Sequence, residues 1–316
     1  MHALNLKYFY TFGILLLLLD FSYAKESTSQ YNTSSKISIL IENAEQDNAM
    51  VLINQTLKEK KSDLLKTTKR DVLKYTFLYD EISRLIIMKN KLLMEMEKED
   101  EVNTDKICNY ILDYAEVEFI KTQFYKTPFH DDVAKTVQNI ASLYELCYPP
   151  MAGKYLNSVL KIKEHIYSKE SIQVAGSHDA LGDYYRLAMA NFQEAITHYE
   201  DANKIREDLF GKSDPKITEN YSRLATCIFY HGDPMRKAEK ILLQSITIRK
   251  NSPINTEFPL YLAYMDAGMY YSMVGNYANS ISTLIKAKDT FVGKQKSDYD
   301  SILRELAAAR RNINPK

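Results

Sequence analysis

Histidines and cysteines, the side chains that most often carry chemistry, are few in this chain and widely spaced. A catalytic or metal site needs several such groups to converge, and the sequence places them on different predicted helices and links without a common face. We therefore predict surface or turn positions for each of these histidines, with no catalytic residue and no metal. The residues in question are His130, His165, His178, His198 and His231.

The three cysteines, Cys108, Cys147 and Cys227, are far apart and odd in number, which argues against a disulfide framework. One bridge plus one free thiol is an open alternative in an oxidising compartment. Because Cys147 and Cys227 both fall on predicted helix faces, the pattern favours small buried thiols at these two positions.

Other chemical signatures are absent from the sequence. It contains no phosphate-binding glycine loop, no nucleophile elbow, no zinc-protease motif and no cysteine pair at zinc spacing. The 41 basic and 41 acidic residues cancel, so no global charge is present to hold nucleic acid. We predict a non-enzymatic protein without a cofactor and without a nucleic-acid partner.

The first 24 residues are typical of a signal peptide. Lys7 precedes an apolar run, and Ser22-Tyr23-Ala24 provides the small-x-small pattern of a cleavage site, so cleavage after Ala24 is predicted. An uncleaved anchor is the alternative, but the apolar run is shorter than the roughly 20 residues that a spanning helix needs. We expect a polar flexible leader at 25–35 and a periplasmic or secreted mature chain without a transmembrane segment. Three glycosylation acceptors, Asn32, Asn54 and Asn220, matter only in a cell that glycosylates exported proteins.

The elements that must position any site are helical. Residues 25–127 contain neither proline nor glycine, which indicates an all-helical region at 36–127, either degenerate repeats or a separate bundle. Apolar residues at three- and four-residue steps predict one long amphipathic helix from Asp71 to Met96 and a second from about Asp105 to Phe124.

A repeat dominates the second half of the chain. VLKIKE from Val159, ANKIRE from Ala202 and SITIRK from Ser245 are 43 residues apart, and AKDT from Ala287 follows 42 residues later. Such a period is typical of stacked helical hairpins. We predict four hairpins over 128–291 and a capping helix within 292–316. A small residue precedes each of these starts by seven positions, at Ala152, Ala195, Ala238 and Ser280.

The last hairpin shows the most specific pattern, with Ala267-Gly268, Tyr271, Gly275-Asn276-Tyr277 and Ser280. These residues resemble a tetratricopeptide repeat, and the long period resembles the kinesin-light-chain variety of that family. The resemblance covers residues 130–291. It implies an all-α solenoid of antiparallel hairpins in which the first helix of each hairpin, the A helix, lines a concave groove for a peptide or partner protein.

Carrying the family's groove positions over to this chain gives a set of candidate binding residues. Asn139 matches the family asparagine that holds a ligand's backbone, whereas later hairpins have Ala180, Arg223 and Asp266 there. Met265, Met269 and Met273 of the last hairpin have two interpretations. They form either an apolar stripe that adapts to irregular partners or part of the core under the last helix. Arg186 and Arg223 either meet a partner's acidic groups or pair on the surface with Asp183 or Glu219. The residues selected from these positions as the candidate site are Asn139, Arg186, Glu219, Arg223, Phe229, Met265, Asp266, Met269 and Met273.

These observations lead to an exported interaction module that binds a protein or peptide along its A helices. The alternative is an enzyme with an unrecognised active site in 36–127 that uses the repeats to recruit substrate. A third hypothesis makes the N-terminal helices a self-association or membrane-surface element. The identity of the partner and the oligomeric state stay open.

Overall fold

The computed structural model describes residues 36–37, 39–41, 46–67, 71–96, 98, 101–232, 235–252, 258–292 and 296–313. Within these ranges the chain is helical and contains no strand, as predicted. The predicted signal peptide and leader lie outside the described residues.

A 3-10 turn spans Pro215–Thr218, ahead of the helix Tyr221–His231. In chain order the helices are α1 (Gln46–Lys66), α2 (Val72–Glu95), α3 (Thr104–Tyr125), α4 (Asp131–Cys147), α5 (Pro149–Ile166), α6 (Ile172–Leu187), α7 (Phe192–Phe210), α8 (Tyr221–His231), α9 (Met235–Asn251), α10 (Leu260–Met273), α11 (Tyr277–Asp289) and α12 (Lys296–Ile313).

The two long N-terminal helices begin at side-chain caps. The Asp71 carboxylate accepts a hydrogen bond from the Lys74 amide, and the Asn103 side chain accepts one from the Lys106 amide. Each cap satisfies an amide that a helix leaves unpaired in its first turn. These starts agree with the predicted helices to within about one residue, because the caps coincide with the onset of the apolar period.

The chain divides into two compact units, with α1–α5 in the first and the helices from α6 onward in the second. The division follows Ser168, so the first predicted hairpin, α4 and α5, packs with the N-terminal helices. The other three hairpins, α6/α7, α8/α9 and α10/α11, lie in the second unit together with α12. The predicted domain boundary at residue 128 stays a prediction.

A buried polar network joins α2, α3 and α4 in the first unit. The Lys121 ammonium lies 2.5 Å from an Asp80 carboxylate oxygen and also donates to the Thr136 hydroxyl at 2.9 Å. Tyr114 donates its hydroxyl hydrogen to the same Asp80 carboxylate. Since Lys121 and Tyr114 are both buried, these bonds satisfy groups that would otherwise be costly to remove from water.

A disulfide joins Cys108 at the start of α3 to Cys147 at the end of α4, with their Cα atoms 5.9 Å apart. The prediction of a buried free thiol at Cys147 is therefore wrong. Antiparallel packing places the first turn of α3 beside the last turn of α4, and sequence periodicity could not reveal this register. Cys227 is a buried free thiol, as predicted, and burial raises its pKa to about 12.

The repeat positions form the interior of the hairpins. The four small residues seven positions ahead of the repeated segments are fully buried. Gly182 and Gly268 each face a large side chain of the following B helix, the second helix of the hairpin. A methyl group at Gly182 would lie 2.6 Å from the Tyr199 ring, and one at Gly268 would lie 2.6 Å from Leu284. Small residues at these positions allow A and B helices to approach closely.

Two glycines end helices inside hairpins. Gly232 follows α8 with φ of 88°, and Gly275 follows α10 with φ of 78°, values that favour glycine over other residues. Beyond the last hairpin, α12 packs against α11, and its residues Ile302, Leu306 and Ala309 are buried.

Candidate functional site

The A helices of the second unit carry most of the predicted groove residues. Two of these residues, Arg186 and Arg223, form ion pairs with Asp183. An Arg223 guanidinium nitrogen on α8 lies 2.5 Å from one Asp183 carboxylate oxygen on α6. The Arg186 guanidinium lies 2.9 Å from the other oxygen. Of the two interpretations of these arginines, pairing within the chain is confirmed. The pairs are largely buried and not solvated, because neighbouring hairpins enclose them.

Tyr199 completes this cluster from the B helix. Its hydroxyl donates to Asp183 at 2.6 Å and accepts from the Arg186 Nε at 3.1 Å. The Arg223 guanidinium also lies over the Tyr199 ring, 5.6 Å from its centre. The other three hairpins have leucine at the equivalent position, so a phenol here turns an apolar contact into a polar one. Those leucines are Leu156, Leu242 and Leu284.

Charge pairing determines the ionisation of this cluster. Burial alone would raise the pKa of Asp183, but the Arg223 and Arg186 guanidinium groups lower it below its usual value. Burial, reinforced by the Asp183 charge, raises the pKa of Tyr199 well above 10. The carboxylate is thus ionised and the phenol neutral at physiological pH, and both arginine charges are directed at Asp183.

Asp266 extends the polar face to α10. The Asp266 carboxylate lies near Ser222 and Arg223 of α8, and its Oδ1 is buried and has no hydrogen-bond partner among the described residues. Burial raises the pKa of Asp266 to about 6, although Arg249, Ser222 and Arg223 act in the opposite direction. The A helices of three successive hairpins therefore carry polar side chains that influence one another, and we call this set the A-helix polar face: Asp183, Arg186, Ser222, Arg223 and Asp266.

Replacing Asp266 with asparagine should stabilise the protein at neutral pH. Because the folded-state pKa is raised from 3.8 to about 6, the neutral form favours folding below pH 4, and this contribution is lost as pH rises through 6. We expect Asp266→Asn to raise the free energy of unfolding by roughly 2 kcal/mol at pH 7.5 and to leave it unchanged near pH 4. Urea unfolding at both pH values checks this, with Asp208→Asn on the exposed side of α7 as the matched control. A variant less stable than wild type at pH 7.5 would contradict it.

Glu219 belongs to a second buried cluster rather than to an open groove. The buried Arg206 guanidinium on α7 lies 2.7 Å from a Glu219 carboxylate oxygen and also pairs with Asp179. Asn220 is fully buried and donates to the same Asp179 carboxylate at 2.6 Å. A sugar on Asn220 would therefore be incompatible with this packing.

The apolar members of the predicted set differ in exposure. Met265 is buried, while Phe229 and Met273 are half-buried and pack against the apolar cluster formed by α7–α10. Met269 is half-buried on α10. Phe229 and Met269 thus leave part of their apolar surface accessible on the A helices.

Asn139 lies in the first unit. Its side-chain amide donates to the Tyr114 hydroxyl at 3.1 Å, at the edge of the Asp80 network. The residue that matches the family asparagine is therefore engaged within its own chain.

The prediction that the histidines are dispersed holds in part. His130 accepts from the Asp132 amide at the start of α4, and His165 and His231 are exposed. It is wrong for His178 and His198, whose Nδ1 atoms lie 3.0 Å apart between α6 and α7. The two histidines are 20 residues apart in the sequence. Their contact could not be predicted because it depends on the position of the turn between α6 and α7.

Solved structures share this arrangement of hairpins. The crystal structure of BtubC (BKLC) from P. vanneervenii matches with a TM-score of 0.53 at 17% identity, over 78% of this chain and 90% of that chain. A putative kinesin light chain from Podosopora anserina, with nearly identical TPR-like repeats, matches with a TM-score of 0.49 at 15% identity, over 75% of this chain and 96% of that chain. The chain has a tetratricopeptide-repeat fold.

Sequence comparisons add nothing to this tetratricopeptide-repeat assignment. No family model and no curated protein matches the chain. Among the described residues, none of the repeat helices or the helices before them is long and apolar enough to cross a membrane.

Proposed function

We propose that this chain is an exported interaction module that binds a peptide or a segment of a partner protein across α6, α8 and α10. The observation that carries the proposal is the A-helix polar face. Asp183 of α6 pairs with Arg223 of α8, and Arg223 and Ser222 act on the Asp266 carboxylate of α10, so polar side chains of three successive A helices lie near one another. The tetratricopeptide-repeat fold supports this proposal, since stacked hairpins create extended binding surfaces.

The charges on this surface favour a particular kind of ligand. Asp183 already pairs with both Arg186 and Arg223, so an acidic ligand would have to compete with two existing, largely buried ion pairs. Phe229 and Met269 offer partly exposed apolar surface, and methionine adapts to irregular partners. The proposed ligand is therefore a segment anchored by apolar side chains, with polar contacts that fix its orientation.

Export is the second part of the proposal. The signal-like first 24 residues suggest it, and the Cys108–Cys147 disulfide supports it because such bonds persist in oxidising compartments.

Capture from the extracytoplasmic fraction of the native organism, followed by titration of the captured partner, tests the binding surface. Met269→Glu should weaken the partner's affinity at least tenfold, because it places a charge on the apolar anchor surface. Thr226→Arg, at a half-buried position of α8, is a second probe of the same surface and should also weaken the partner's affinity. Leu209→Glu is the matched control, since it adds the same charge to an exposed B-helix position.

Circular dichroism would confirm that each bait is folded. Equal affinity of Met269→Glu, Thr226→Arg and wild type would overturn the proposed surface and direct attention to residues 36–127, where the enzyme and self-association hypotheses place function.

A further inference from the structure

His178, His198 and Asp201 bring three potential metal ligands together on the second hairpin. One ligand atom from each lies within 4.8 Å of the others, and this is the one such group of histidine, cysteine and carboxylate side chains in the described part of the chain. The two Nδ1 atoms are 3.0 Å apart, and the His178 Nδ1 lies 3.8 Å from an Asp201 carboxylate oxygen.

Local structure places these groups. His198 and Asp201 are three residues apart on α7 and therefore project from the same side of that helix. His178 faces them from α6. Tyr185, two turns further along α6, stacks on the His198 ring with centroids 5.5 Å apart and planes 9° apart, which restricts the orientation of that ring.

The spacing fits a tetrahedral metal ion. Zinc binds imidazole nitrogen and carboxylate oxygen at about 2.0–2.1 Å, which separates ligand atoms by about 3.3 Å in tetrahedral geometry. The observed separations of 3.0 and 3.8 Å lie on either side of this value, so small side-chain rotations would complete the coordination.

The surroundings also suit a metal ion. His178 is largely buried, with 15% of its side chain exposed, whereas 51% of the Asp201 side chain is exposed and leaves a path for entry.

We propose that His178, His198 and Asp201 bind a divalent transition-metal ion of the zinc class, with the fourth coordination position open to water. Two imidazoles and one carboxylate favour zinc over the hard cations magnesium and calcium, which prefer oxygen ligands. The ion would fix α6 to α7. This site is independent of the proposed peptide surface.

Zinc titration of the full chain without a histidine tag, after removal of metal with a chelator, tests the site. In competition with a chromophoric zinc chelator, wild type should bind one equivalent. His178→Gln should abolish this binding, and Asp201→Asn should weaken it at least tenfold. His231→Gln, which removes an exposed histidine of the same unit, is the matched control and should bind like wild type.

Two further measurements distinguish a built site from scattered surface binding. Cobalt should give the intense visible absorption of four-coordinate geometry in wild type and not in His178→Gln. Zinc should raise the melting temperature of wild type and His231→Gln but not that of His178→Gln. Absence of saturable zinc binding by wild type, or equal affinity in wild type, His178→Gln and Asp201→Asn, would overturn the proposal.

Discussion

Asp183→Asn should be strongly destabilising, with a loss of roughly 3 kcal/mol in the free energy of unfolding at neutral pH. The substitution removes the one carboxylate that both Arg186 and Arg223 contact, and 5% and 12% of these arginine side chains are exposed. Two largely buried guanidinium groups would then lose the carboxylate with which both are paired, while the asparagine keeps the shape of the side chain. Chemical denaturation at pH 7 measures the loss.

The pH dependence provides an internal check on this result. The pKa of Asp183 is lowered in the folded protein, so its contribution is present above the usual carboxyl value near 3.8 and is lost as pH falls below it. The difference between wild type and variant should be constant from pH 5 to 8. Asp208→Asn, an exposed position on α7, is the control. Equal midpoints for the two variants would show that the ion pairs contribute little.

Loss of the disulfide should lower the free energy of unfolding by an amount comparable to that expected for Asp183→Asn. The Cys108–Cys147 bond closes a loop with a sequence separation of 39, and loop-closure entropy for that length gives a stabilisation of about 3 to 4 kcal/mol. The double variant Cys108→Ser, Cys147→Ser should lose this amount. A reductant should lower the stability of wild type to the level of the variant and leave the variant itself unchanged.

Alkylation and mass measurement check the pairing directly. The denatured wild-type protein should take up one alkyl group before reduction, at Cys227, and three after it. Three groups before reduction, or no effect of the reductant on wild type, would contradict the bond.

The repeat made much of the fold predictable from sequence. Ala152, Ala195, Ala238 and Ser280 could be placed in the interior because a fixed period repeats the same packing environment, and all four are buried. The A-helix positions followed from the same period. The period could not predict which side chains contact one another.

Contacts between helices required the three-dimensional register. Cys108 meets Cys147, and His178 meets His198, at separations set by the lengths of individual helices and turns. Tyr199 did give a signal in the sequence, since it replaces the leucine of the other hairpins. Its polar role became clear only with Asp183 and Arg186 beside it.

The A-helix polar face also limits how this array can be rearranged. Asp183 of the second hairpin pairs with Arg223 of the third, and Ser222 and Arg223 of the third lower the pKa of Asp266 of the fourth. If the third hairpin were excised and its neighbours joined, Asp183 would lose its α8 arginine and the carboxylates of Asp183 and Asp266 would become neighbours, which like charges disfavour. These hairpins are therefore not interchangeable cassettes. The charges on each hairpin match those of its neighbours only in the present order. Insertion or deletion of a whole repeat therefore requires matching substitutions in the hairpins on either side.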